Sequence, residues 1–91
     1  MESTTFTLPP FFIEVDGVKV EIVEVSEQKL VSGDTFYIVS CKIYYDNIVS
    51  KVFPLYVKST QELIDKLKVE VTKLKFIEYA YGIQHVKEVI S

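Results

Sequence analysis

Cys41 and His85 are the one pair in this chain of 91 residues that offers a thiol nucleophile and an imidazole base, because each is the sole residue of its type. Such a pair works when the histidine takes the thiol proton and the thiolate attacks. One histidine cannot build a histidine-based metal cluster. Cys41 falls at an apolar position of a strand-like run, where a small thiol packs into the core and stays unreactive, and His85 reads as an ordinary half-exposed residue. No Gly-rich phosphate loop, Cys-x-x-Cys pair, His-Glu-x-x-His or nucleophile elbow occurs, and the three glycines sit at turns or a helix end. The expectation is a protein that is not an enzyme and that holds no cofactor and no metal.

Paired carboxylates are the next candidates, since two acids on one face can act as acid and base or hold a divalent cation. Glu14, Glu21 and Glu24 lie on or near one face of a first hairpin, with Lys19 opposite Glu14. Polar alternation of this kind is what the solvated side of a half-buried strand requires. Asp16, Asp34 and Asp46 fall in turns, where aspartate bonds to local backbone. Lys66, Lys68, Lys73 and Lys75 are the densest basic run, but Glu62, Asp65, Glu70 and Glu78 are interspersed at helical spacing. That mixture describes a solvent face of alternating charge.

Charge narrows the partners further. Thirteen acids against ten bases give a net charge of -3, which opposes broad attraction to phosphate. Every base is a lysine, so sites that need the bidentate fork of arginine are excluded. A single cysteine allows no internal disulfide. Glu2 and the Pro9-Pro10 pair do not suit a secretory signal, and no uncharged run approaches the ~20 residues of a membrane span. The expected location is the cytoplasm, with no membrane partner.

The elements that would position these residues follow from pattern. Residues 1–10 read as a flexible tail and 11–91 as a single α+β domain. Phe11 to Val15 and Val18 to Val25 flank Asp16-Gly17, a type I′ hairpin signal that sets Val15 opposite Val18, Ile13 opposite Val20 and Phe11 opposite Ile22. After Ile22 the apolar phase slips to Val23 and Val25, which predicts a bulge or twist that moves the strand end to the opposite face.

A second hairpin joins Thr35–Tyr44 to Ile48–Val57 through Tyr45-Asp46-Asn47. Two registers compete. A two-residue Asp46-Asn47 turn sets Lys42 against Lys51, whereas a three-residue loop with Asn47 left-handed avoids that like-charge pair and is preferred. Its core face holds Tyr37, Val39, Cys41, Ile43, Val49, Phe53, Leu55 and Val57. Ser59-Thr60-Gln61-Glu62 then matches a capping box that opens a helix, whose sheet-facing stripe is Leu63, Leu67, Val71, Leu74, Ile77 and Tyr81. Leu67, Val69 and Val71 also alternate as a strand would, so a strand alternative stands in the middle of this segment. Gly82 stops the helix. For the residues after it, a short fifth strand is favoured over a frayed helix.

The predicted fold is therefore a four-stranded antiparallel sheet from two hairpins, one long helix on one face and a short C-terminal fifth strand. A single helix cannot cover both faces of a sheet in a chain that is 48% apolar. The uncovered face carries Ile38, Tyr44, Ile48, Val52 and Tyr56, the candidate interface residues for a homodimer or a complex with another protein, sheet against sheet or edge to edge. The alternative is stacking of unpaired bases on Tyr44 and Tyr56 beside Lys42 and Lys58, making the chain a single-stranded nucleic-acid binder. Acidic net charge, absent arginine and the aliphatic companions favour the protein interface.

Overall fold

Asp16 and Gly17 turn the first hairpin with φ of 49° and 81°, the left-handed values that type I′ geometry demands. Strands β2 (Phe11–Val15) and β3 (Val18–Lys29) pair in the expected register, Val15 with Val18, Ile13 with Val20 and Phe11 with Ile22. The computed structural model describes residues 9–91 and, in backbone alone, 2–6. Glu2–Phe6, inside the segment read as a tail, is a strand, β1, antiparallel to Val25–Lys29 of β3. Threonine and phenylalanine favour extended backbone, and the Pro9-Pro10 pair separates β1 from β2 rather than marking where pairing begins. The rest of that tail, Met1 and Thr7-Leu8, lies outside the described residues.

β3 pairs along its length with β4 (Thr35–Tyr45), and this pair is the spine of the sheet. Ile22 faces Cys41 and Glu24 faces Ser40, so Val23 is the extra residue of a bulge. Its effect is the reverse of the predicted one. The inserted residue restores phase, so Val25 returns to the core side opposite Val39 instead of leaving it.

The second hairpin departs from its predicted register. Tyr45 lies opposite Ile48 across a two-residue Asp46-Asn47 turn, with Asp46 at φ 55°. The predicted clash of Lys42 with Lys51 never forms, because β5 (Ile48–Val49) ends after two residues and β6 (Phe53–Val57) resumes one step out of phase, with Cys41 opposite Phe53. Ser50 closes the break. Its N–H donates to the Ile43 carbonyl at 2.9 Å, and its buried hydroxyl accepts from the Ile43 N–H at 2.8 Å while donating to the Lys51 carbonyl at 2.9 Å. A side chain thus replaces a missing ladder partner. The new phase buries Tyr45 and packs Ile48 against the core, whereas Val49, predicted inside, is exposed.

The sheet has four rows. β1 and β2 share one edge of β3, while β5 and β6 share the far edge of β4. Helix α1 (Thr60–Tyr81) crosses one face and buries Leu67, Val71 and Leu74 against Val20, Ile22, Val39, Cys41 and Ile43. Burial decides the helix against the strand alternative, since alternation would have turned Val69 inward and it is exposed. Ser59 Oγ accepts from the Glu62 N–H at 3.1 Å, and Glu62 reaches back one residue further than predicted, to the Lys58 N–H at 3.0 Å. Gly82, at φ 92°, ends α1 with its N–H on the Glu78 carbonyl at 2.8 Å.

The expected fifth strand is a helix, α2 (Ile83–Ile90). Ile83, Val86 and Ile90 recur at spacings of three and four, and burying Val86 completely outweighs the modest helix propensity of β-branched residues. Tyr81, predicted on the inward stripe of α1, is exposed, and Val86 of α2 is buried instead. The Lys51 N–H donates to the Ile90 carbonyl at 3.1 Å, so α2 also ties down the broken edge. With Cα extents of 45 × 25 × 20 Å, the molecule has room for one sheet layer and one helix layer. Among the described residues, each layer therefore keeps a free outer side.

Ser50→Ala removes the acceptor of a buried N–H and should cost about 1–3 kcal/mol; Leu67→Ala, a core truncation, should cost about 2–5 kcal/mol. Urea unfolding of both variants checks this. A serine variant as stable as the parent would show that the break does not depend on the hydroxyl.

Candidate interaction surface

β-strand alternation gives the uncovered sheet face its membership: Phe12 and Glu14 from β2, Lys19, Glu21 and Glu24 from β3, Phe36, Ile38, Lys42 and Tyr44 from β4, Val49 from β5, and Pro54 and Tyr56 from β6. These side chains form two aromatic groups. At one end the Phe12 and Tyr44 rings meet edge to face at 5.8 Å, with the Lys19 ammonium 4.3 Å from the Phe12 centroid and 5.5 Å from that of Tyr44. The Tyr44 hydroxyl donates to Glu21 Oε1 at 2.7 Å. That bond first, and burial second, hold its pKa above the ordinary 10.0. At the other end Phe36 and Tyr56 lie 6.4 Å apart, about 20 Å from the first group along β4 by the rise of an extended strand.

Of the predicted interface residues, Ile38, Tyr44 and Tyr56 lie on this face. Ile48 does not, because the two-residue turn puts it on the core side with Tyr45. Val52 is exposed in the irregular stretch between β5 and β6, off the ladder. Phe12 and Phe36 were missed, although the correctly read first hairpin sets Phe12 opposite Glu21 on the outer side. Phe36 shares the parity of Ile38.

The residues named for nucleic acid are dispersed. Lys42 stands opposite Glu21, Tyr44 is engaged by that same carboxylate, Tyr56 belongs to the other aromatic group, and Lys58 follows β6 at the start of α1. The basic run divides as well: Lys66 Nζ donates to the Tyr56 carbonyl at 2.5 Å, Lys75 Nζ to the Asp16 carbonyl at 2.7 Å, and Lys73 lies 3.2 Å from Glu70. The carboxylates named for acid–base or cation chemistry each face a different partner, Glu14 Lys19, Glu21 Lys42 and Glu24 Ser40.

The thiol and the imidazole keep separate company. Cys41 is fully buried, its Sγ 3.6 Å from the Val39 carbonyl, and burial pushes its pKa from 9.0 up to about 11. His85 is exposed on α2, with its ring 5.0 Å from that of Tyr81 and its Nδ1 3.6 Å from Glu88. Tyr45 joins sheet to helix by donating to Glu78 Oε1 at 2.5 Å, and burial followed by that bond pushes its pKa from 10.0 up to about 12. On the core side, near the start of α1, Phe11, Ile22, Val25, Tyr37, Val39 and Leu63 border a mainly apolar hollow of about 440 Å³. Among the described residues no three His, Cys, Asp or Glu side chains converge as metal ligands would, and no helix is long and apolar enough to cross a membrane.

Comparison with protein families, curated proteins and solved structures finds no match to this chain.

Both raised pKa values belong to groups that are neutral when protonated, so the folded state holds those protons more tightly than the unfolded chain. The resulting stability is complete below the unfolded values and is lost as pH rises from 9.0 to about 11 for Cys41 and from 10.0 to about 12 for Tyr45. Urea unfolding across this alkaline window should show a decline in the parent that is shallower in Tyr45→Phe at its upper end. Parallel profiles would remove Tyr45 as a contributor.

Proposed function

We propose that the protein is a small interaction domain that acts by binding, not by catalysis, as a homodimer or in a complex, and that the uncovered sheet face is its contact surface. The observation that carries this reading is the pairing of exposed aromatics with charges of both signs on one regular face. Phe12 and Tyr56 are 50% and 56% exposed, and the contacts of Tyr44 and Lys19 hold the first aromatic group in place without a partner. Aromatic rings held rigid lose little entropy on binding, which suits them to be anchors.

Size and charge fit self-association. Central strands of about 36 Å across four rows about 19 Å wide offer about 700 Å², close to the ~800 Å² per partner of a standard interface. Glu14, Glu21 and Glu24 share the face with Lys19 and Lys42, so a twofold axis can set acids of one copy against lysines of the other. Base stacking is less well served, because the Glu21 carboxylate beside Tyr44 and Lys42 would repel a phosphate backbone.

Light scattering during gel filtration should give twice the 10.5 kDa of the chain, and Tyr56→Lys should return it to the monomer without loss of helix signal. A strict monomer at high concentration would overturn the homodimer. Binding of single-stranded DNA or RNA that Tyr56→Ala abolishes would replace the reading with the nucleic-acid one.

A further inference from the structure

We propose that the solvent side of α1 docks an acidic amphipathic helix of a partner protein, a second surface on the layer opposite the sheet face. Val69, Phe76 and Tyr79 are 55%, 70% and 84% exposed. With Thr72 between them, they recur at spacings of three, four and three, on the side of α1 directly opposite the buried Leu67 and Leu74. The helix thus carries two apolar stripes, one spent on the sheet and one unspent.

Three properties of the second stripe select its occupant. It is narrow, two positions per heptad, which is the seam of helix against helix; a helix lying in a lipid interface buries a broader apolar face. Its flanks are lysine on both sides: Lys66 and Lys73 fall on one, Lys68 and Lys75 on the other; Lys66 and Lys75 reach to the Tyr56 and Asp16 carbonyls, which leave their charge unneutralised, and Lys68 and Lys73 border a shallow groove with Val69, Thr72 and Phe76. Glu70 pairs with Lys73 from outside the flank positions, and Asp65 at the N-terminal end is engaged by Gln61 at 3.0 Å. A second copy of this chain would bring lysine flanks against lysine flanks in either orientation, a like-charge contact that opposes pairing. A helix with glutamate or aspartate at its flanking positions meets the same seam with complementary charge.

The test uses the intact protein, labelled with nitrogen-15, and a synthetic helix of four heptads with leucine at the seam and glutamate at the flanks; its counterpart carries lysine at the flanks. The acidic helix should shift amide resonances within 68–79, bind more weakly at high salt, and lose at least tenfold in affinity to Phe76→Glu, while the basic helix should not bind. Tyr79→Glu, at a more exposed position, serves as the second variant, and Tyr56→Lys on the sheet face should leave peptide binding intact. No binding of the acidic helix, equal binding of both helices, or shifts confined to the sheet would overturn the proposal. So would a dimer that Phe76→Glu dissociates, or sedimentation with phosphatidylserine vesicles that the same substitution abolishes, which would give the stripe to a second copy or to a membrane.

Discussion

The pairing of β3 with β4 is the interaction on which the rest depends. Side chains alternate strictly across a strand, so a slip of one residue would exchange the buried and exposed sets of the whole sheet. The bulge at Val23 keeps that alternation useful over the full length of the pair, with Val20, Ile22 and Val25 on the core side and Lys19, Glu21 and Glu24 on the other. Everything on the outer face, including the contact of Tyr44 with Glu21, is a consequence of this register. So is the seat of α1, because Leu67, Val71 and Leu74 meet the same row of β-branched residues that the bulge preserves.

What could be read from the sequence was whatever is decided locally. Asp16-Gly17 dictates its turn and, through it, every pair in the first hairpin, and Ser59 dictates the start of α1. The second hairpin was misread because its register is decided at a distance. Lys42 and Lys51 do stay apart, but the chain separates them by breaking the strand at Ser50, and that break is supported by a hydroxyl and by the carbonyl of Ile90 some forty residues later. No turn rule contains that information. The error moved Ile48 from the core to the surface face in the predicted site; Ile38 and Tyr44 lie where the alternation of β4 puts them, and Tyr56 lies on the same face because the break at 50–52 restores the parity that the two-residue turn alone would have reversed. The final helix was obscured for a related reason: Ile83, Val86 and Ile90 have strand-like chemistry, and only the space beside α1 makes a helix the better way to bury Val86.

The distribution of lysine gives the two outer sides different characters. On the sheet, lysines alternate with glutamates, and Lys19 lies against two aromatic rings. On α1 they flank a narrow apolar stripe on both sides. Two of the four also brace the helix, Lys66 on the Tyr56 carbonyl and Lys75 on the Asp16 carbonyl, so the ends of α1 are tied to opposite parts of the sheet. Lysine's long flexible stem suits this reach over an edge.

The same ties bear on how the sheet can associate. An edge strand recruits another chain only if it offers a continuous row of free N–H and C=O groups. Among the described residues neither edge is continuous. One is interrupted by Pro9-Pro10 between β1 and β2, and the other by the break at 50–52 and by Pro54, which has no N–H to give. The Tyr56 carbonyl is already engaged by Lys66, and the Lys51 N–H by Ile90. Edge-to-edge pairing through the second hairpin, one of the two routes the sequence left open, would therefore gain few hydrogen bonds and would have to displace some already made. Face-to-face contact would displace none of them and would bury the apolar area that the single helical layer leaves uncovered among the described residues.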